Sequence, residues 1–136
     1  MRFGSVEAGI GWVPWALQAM DEAYLKHLWA VRPKMELLPS EYFKRQGFAT
    51  FQEDAAGLDL AISHDLVSNF MWANDYPHHE GSWPHSAEAI ERTMGELDDG
   101  SRAKILGLNA AEVFNIPIPD RYLDHEDARA SASRIA

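Results

Sequence analysis

Asn69–Ser86 reads NFMWANDYPHHEGSWPHS, and its first seven residues decide how the rest of the chain is read. Asn69 to Asp75 is a short apolar run of strand character that ends on a carboxylate. The two-residue period of a strand puts Met71, Ala73 and Asp75 on one face and Phe70, Trp72 and Asn74 on the other. Pro77 breaks the run into a loop carrying His78, His79, Glu80, Trp83 and His85. Tyr76, which precedes that proline, is biased to extended backbone, so the chain leaves the sheet just after Asp75. Ser86 is then a suitable N-cap for a helix to about Leu97.

The segments before this stretch repeat its plan. Phe48 to Asp54, FATFQED, predicts a strand with Thr50, Gln52 and Asp54 on one side and Phe51 turned towards covering helices. Gly57 opens a short helix from Leu58 to Val67, with Leu58, Ile62 and Leu66 as its buried line and His64 at the surface. Ser40 caps a helix from Glu41 to Gln46, and Pro33 stops a longer one from Trp12 to Val31. That longer helix has Pro14 in its first turn and an apolar stripe of Trp12, Trp15, Ala16, Ala19, Met20 and Ala23. Arg2 to Gly9 predicts a further strand, with Phe3, Ser5 and Glu7 on one face and Glu7 at its carboxyl end beside Gly9 and Gly11. Downstream, Asp98-Asp99-Gly100 is a turn, and Ser101 caps a last helix reaching Phe114. Asp120 to Ala136 is charged and rich in alanine and serine, the composition of a mobile tail.

Strands alternating with helices imply parallel pairing through right-handed crossovers. Three parallel strands alone leave both sheet edges open, which a free-standing domain avoids. The expected fold is therefore α/β, the carboxyl-terminal three-eighths of a (β/α)8 barrel: strands six to eight with their helices, incomplete as a free domain. Such barrels take about 250 residues, against 136 here. On this reading residues 1–117 form the partial barrel and 118–136 the tail.

Composition narrows the function classes. A formal charge of −9, from 12 basic and 21 acidic residues, gives no electrostatic footprint for nucleic acid or an anionic membrane. The absence of cysteine rules out thiol chemistry, so a metal would be held by nitrogen and oxygen ligands. No apolar run approaches the roughly 20 residues that span a bilayer, and Arg2 does not lead into a signal peptide. The expectation is a cytoplasmic protein acting on a small molecule.

Five stretches, in order, then carry a resemblance: EAGIGWVP (Glu7–Pro14), LPSEYFKRQ (Leu38–Gln46), TFQED (Thr50–Asp54), MWANDYPHHEGSWPHS (Met71–Ser86) and KILGLNAAEVF (Lys104–Phe114). Over residues 2–116 the chain resembles the carboxyl-terminal part of amidohydrolase-related proteins, in the branch of aminocarboxymuconate-semialdehyde and aromatic-acid decarboxylases. The resemblance implies a divalent ion, zinc or manganese, and either hydrolysis or non-oxidative decarboxylation of a small unsaturated or aromatic acid. It makes Asp75 the strand-end aspartate that binds the metal or moves a proton, and His78 the DYPH histidine beside the site. Glu7 falls where many relatives carry a histidine in an HGG-like motif that touches substrate. Homo-oligomers are common in the family. From the residues themselves, Trp12, Trp83 and Phe51 suggest apolar surface near the mouth that could meet substrate, although tryptophans in loops serve packing more often than binding.

From the residues alone, Asp75 is open to two readings. It is a hard oxygen ligand or general base, or it is a buried aspartate satisfied by amides of the next loop. His78 and His79 are adjacent and diverge, so they do not share one ion, and no His-x-His occurs in the sequence. Most metal ligands are therefore expected outside this chain, and the chain on its own is expected to be inactive. The alternative class is a non-catalytic remnant, or a subunit that completes a barrel with another polypeptide.

Overall fold

A computed structural model describes residues 1–27, 35–122, 129 and 132–134. Three strands, β1 (Phe3–Ser5), β2 (Gly47–Phe51) and β3 (Phe70–Trp72), form one parallel sheet in the order β1-β2-β3. Phe3 pairs with Gly47 and Ser5 with Ala49 on one side of β2, and Ala49 with Phe70 and Phe51 with Trp72 on the other. Among the described residues neither β1 nor β3 has a strand on its outer edge.

The connections are helical, as parallel pairing requires. Helix α1 (Trp12–His27) and α2 (Pro39–Gln46) join β1 to β2, and α3 (Ala55–Ser63) with a 3₁₀ turn at Val67–Asn69 joins β2 to β3. After β3 come α4 (Ser86–Met94) and α5 (Asp99–Ala103), then a π-helical stretch at Lys104–Leu108 and α6 (Asn109–Phe114). Asn115 ends α6 with φ 55°, a left-handed C-terminal residue. The expected extension of α1 over 28–31 lies outside the described residues. The polar tail, where described, has a 3₁₀ turn at Asp120–Tyr122 and helical residues 132–134, with Arg134 bonded to Glu112 at 3.1 Å.

Helices pack on the face of the sheet that carries Ala49, Phe51 and Phe70. Ala49, Phe51 and Phe70 meet Ile10, Val13, Leu17, Leu58, Met94 and Ile105 in a single core. Phe51 points into the helices, as its place in the strand predicts. The opposite face carries Gly4, Phe48, Thr50 and Met71 by strand alternation. Phe48 lies over Gly4, where a Cβ would collide with its ring, and meets Phe114 edge-on at 6.0 Å. Two buried asparagines tie helix ends to strand starts. The Asn69 amide donates to the carbonyls of Phe43, Lys44 and Gly47, and the Asn109 amide to those of Val67 and Phe70.

Several local expectations are corrected. In α1 the buried residues are Val13, Pro14 and Leu17, while Trp12, Trp15 and Met20 face outward. The helix is apolar on more than one face, so spacing does not say which stripe is covered. Ile62 is exposed, and Gly57, Leu58 and Ala61 are buried instead. The caps shift as well: α2 starts at Pro39 after Leu38, α4 starts at Ser86 itself, and Asp98 caps α5 by accepting from the Ser101 amide. In each case a nearby residue takes the non-helical position that the serine was expected to hold.

Candidate metal centre

The carboxyl ends of the three strands open into a cleft of about 410 Å³ whose lining includes Val6, Glu7, Thr50, Gln52, Asp75 and Glu80. Each acid is brought there by an unusual backbone. Strand geometry stops at Trp72, and Asp75 sits with φ 57°. Glu7, two residues past β1, has φ 59°. A left-handed conformation is uncommon for a side chain without glycine's freedom, and such residues gather at functional sites. The kink also corrects the expected shared face of Phe3, Ser5 and Glu7. Phe3 packs edge-on to Phe43 on the helix side at 6.0 Å, while Glu7 swings to the mouth.

Neighbouring strands hold that kink. The Glu7 amide donates to Thr50 Oγ1 at 3.2 Å. Asp54, just past β2, accepts from the amides of Ile10 and Gly11 through Oδ2 and from Gly57 through Oδ1, each at 2.8 Å. One carboxylate thus caps α3 and fastens the loop after β1. The Gly57 position needs glycine because a Cβ there would stand 2.5 Å from Asp54 Oδ2 and 2.6 Å from Ile10 Cγ1.

Asp75 is the inner member of the cluster. Its side chain is 7% exposed, whereas those of Glu7 and His78 are 57% and 59% exposed. His78 Nδ1 lies 2.9 Å from Asp75 Oδ1 and 3.7 Å from Glu7 Oε1. The carboxylate oxygens of Glu7 and Asp75 lie within 4.8 Å of each other. The side-chain interaction with Asp75 and its negative charge raise the Glu7 pKa above its ordinary value, and the interactions with Glu7 and His78 lower that of Asp75. The bond to Asp75 and its negative charge raise His78. The three shifts have one electrostatic origin: Asp75 raises both neighbours, and His78 helps hold Asp75 ionised.

Of the residues the sequence singled out, Asp75, His78 and Glu7 meet, and Trp12 does not join them. Trp12 donates its indole N–H to the Gly9 carbonyl and lines a separate groove of about 180 Å³ with Phe3, Met20 and Phe43. His79 and His85 stay at the surface, 4.0 Å from Glu80 and Glu88 respectively. Asp54 went unassigned as a clamp, although an aspartate three residues before Gly57 is an N-cap pattern visible in the sequence. The chemistry of the three converging donors, two carboxylate oxygens and one imidazole nitrogen within 4.8 Å of one another, suits a divalent ion. No helix among the described residues is long and apolar enough to cross a membrane.

The fold has known counterparts. A 5-carboxyvanillate decarboxylase from Sphingomonas paucimobilis is similar with a TM-score of 0.65 and 29% identity, over 79% of this chain and 32% of that one. A dihydroxybenzoic acid decarboxylase from a Polaromonas species, solved with manganese and the inhibitor 2-nitroresorcinol, shares the fold at a TM-score of 0.57 and 19% identity, over 88% of this chain and 34% of that one. The chain spans about a third of the length of these solved structures. No curated protein matches. The amidohydrolase family model matches residues 2–116, taking in every strand and the Glu7–Asp75–His78 cluster, and the chain belongs to the amidohydrolase family.

Proposed function

We propose that the chain contributes strands six to eight of a (β/α)8 barrel enzyme that uses a divalent metal, zinc or manganese, on a small aromatic or unsaturated carboxylic compound. The reaction is non-oxidative decarboxylation, with hydrolysis as the second member of the same class. The observation that carries this reading is Asp75, a nearly buried carboxylate at the carboxyl end of the last strand, held in the cleft by Glu7 and His78. Barrel enzymes place their chemistry at that end. The similarity to a 5-carboxyvanillate decarboxylase favours decarboxylation.

In this reading Asp75 is a metal ligand, and the ion when bound supplies charge to polarise a substrate oxygen. The protein's own groups handle the protons. His78, whose Nδ1 lies 2.9 Å from Asp75 Oδ1, fixes the carboxylate's direction. Glu7, whose pKa is raised by Asp75 beside it, lines the cleft and is placed to exchange a proton with a substrate atom there. Thr50 keeps the Glu7 backbone in place during that transfer.

In the completed barrel, Asp75→Asn should abolish metal-dependent release of carbon dioxide from aromatic carboxylates while the far-ultraviolet circular dichroism stays the same. Normal turnover by that variant would remove Asp75 from the chemistry. Both unpaired sheet edges favour a second reading, in which the chain completes a barrel built by another polypeptide. Co-expression with a polypeptide carrying the first five strands, followed by size-exclusion chromatography, tests it.

A further inference from the structure

We propose that Gln52 is a substrate-binding residue of the cleft, its side-chain amide donating to an acceptor oxygen of the aromatic acid, in the carboxylate or in a ring hydroxyl. The proposal rests on the reading above that the cleft takes such an acid, and it names a contact which that reading leaves unassigned. Gln52 lies one residue past β2, where strand alternation groups its side chain with that of Thr50 and away from Phe51, which enters the core. It lines the 410 Å³ cleft together with Glu7, Thr50 and Asp75. After Glu7 and His78, it is the neighbour that holds Asp75 ionised.

The chemical inventory of the cleft wall singles this residue out. Glu7, Glu53, Asp75 and Glu80 contribute four carboxyl groups to the lining, and no lysine or arginine joins them among the described residues. An ionised carboxylate only accepts hydrogen bonds, so an anionic oxygen that reaches this wall is repelled by these groups and finds no donor on them. Thr50 has a single hydroxyl, whose oxygen already receives the Glu7 amide at 3.2 Å. His78 stands outside the lining, with Nδ1 engaged by Asp75 at 2.9 Å. A primary amide carries two N–H donors, so Gln52 can serve Asp75 with one and offer the other to the cleft. Being neutral, it supplies that donor without adding charge to the wall. Its backbone is steadied on both sides: Glu53, next in sequence, meets Arg92 of α4 at 2.6 and 3.2 Å, and Asp54 is fastened to Ile10, Gly11 and Gly57.

The test uses the completed barrel, formed with a polypeptide carrying the first five strands, and follows carbon dioxide release from 2-hydroxybenzoate and from benzoate. Gln52→Leu should raise KM about tenfold and leave kcat within about twofold, the pattern of a lost contact made equally in ground and transition states. Gln52→Glu keeps the shape but adds a carboxylate to the wall, so its KM should rise further, and high salt should relieve part of the increase. A residue that only packs would give the reverse order, because Leu changes the shape that Glu preserves, and no salt dependence. A penalty on both acids assigns the contact to the carboxylate, and one confined to 2-hydroxybenzoate assigns it to the ring hydroxyl. Should either variant lose the native circular dichroism, Gln52→Asn, which draws the amide back by one methylene, is held to the same KM criterion. An unchanged KM in Gln52→Leu, or a larger penalty for Leu than for Glu, would overturn this proposal and leave the reading of Asp75 standing. No turnover of either acid by the unsubstituted barrel would overturn it too, and Asp75→Asn assayed on other aromatic carboxylates would then decide the parent reading separately.

Discussion

Replacing Asp54 by alanine removes the clamp between the loop after β1 and the start of α3. Three backbone amides, those of Ile10, Gly11 and Gly57, lose acceptors at 2.8 Å in one step. Ile10 and Gly57 are buried, so water does not readily replace the lost oxygen there. A stranded buried amide costs about 1–3 kcal/mol, and Gly11, half-buried, recovers part of its loss from solvent. The sum is about 3–4 kcal/mol, a large share of the roughly 5–15 kcal/mol by which ordinary domains are stable. With a urea m-value of about 2 kcal/mol/M, the midpoint should fall by about 1.5–2 M. Asp54→Asn keeps one oxygen and should lose about half as much. Urea unfolding followed by tryptophan fluorescence measures both, with Glu53→Gln as a neighbouring control that breaks only the exposed contacts to Arg92. A midpoint for Asp54→Ala within 0.3 M of the parent, roughly 0.6 kcal/mol on the same slope, would refute the clamp.

Two further outcomes follow from the same structure. Trp72 Nε1 is buried with no hydrogen-bond partner among the described residues, so Trp72→Phe should leave the thermal midpoint unchanged or raise it, because removing an unmet donor offsets the lost packing. The His78–Asp75 pair should stabilise the fold within a pH window. The raised His78 contribution is complete below its ordinary pKa of 6.5 and is lost as pH rises through the folded value. The lowered Asp75 contribution is present above its ordinary 3.8 and is lost as pH falls through the folded value. Glu7 acts in the opposite sense to Asp75, since its raised pKa makes its ionisation a cost as pH rises above 4.5. Proton NMR titration of His78 should therefore show a pKa above 6.5 that falls back towards it in Asp75→Asn.

The path from sequence to site was clearest at β3. An apolar run ending in Asp-Tyr-Pro fixes the strand, its exit and the acid, and the family model covers the same residues. The alternation that put Asp75 and Ala73 with Met71 also put Phe51 into the helices, where it is found. The same rule failed at Glu7 because a left-handed residue reverses the direction of the chain, and nothing about a glutamate announces a positive φ. Helix α1 failed differently. Two apolar stripes compete along it, and Val13 and Leu17 win because β2 and α2 stand on their side, a long-range fact that periodicity does not carry. His78 could be placed near the site by the DYPH pattern, but its joint approach to two carboxylates needs the loop after β1 folded beside it.

Asn69 and Asn109 give the molecule a chemical memory of unfolding. Each residue is 6% exposed, and its amide nitrogen sits among carbonyl oxygens, where its protons are what the neighbours require. Asparagine is thermolabile, and an unfolded chain exposes it to slow hydrolysis to aspartate. While folded, both amides are shielded by the carbonyls they serve. Once hydrolysed, the same position turns an oxygen towards oxygens, and the seam between helix end and strand start no longer closes. Damage done during an excursion to high temperature would then persist after cooling, written at two atoms.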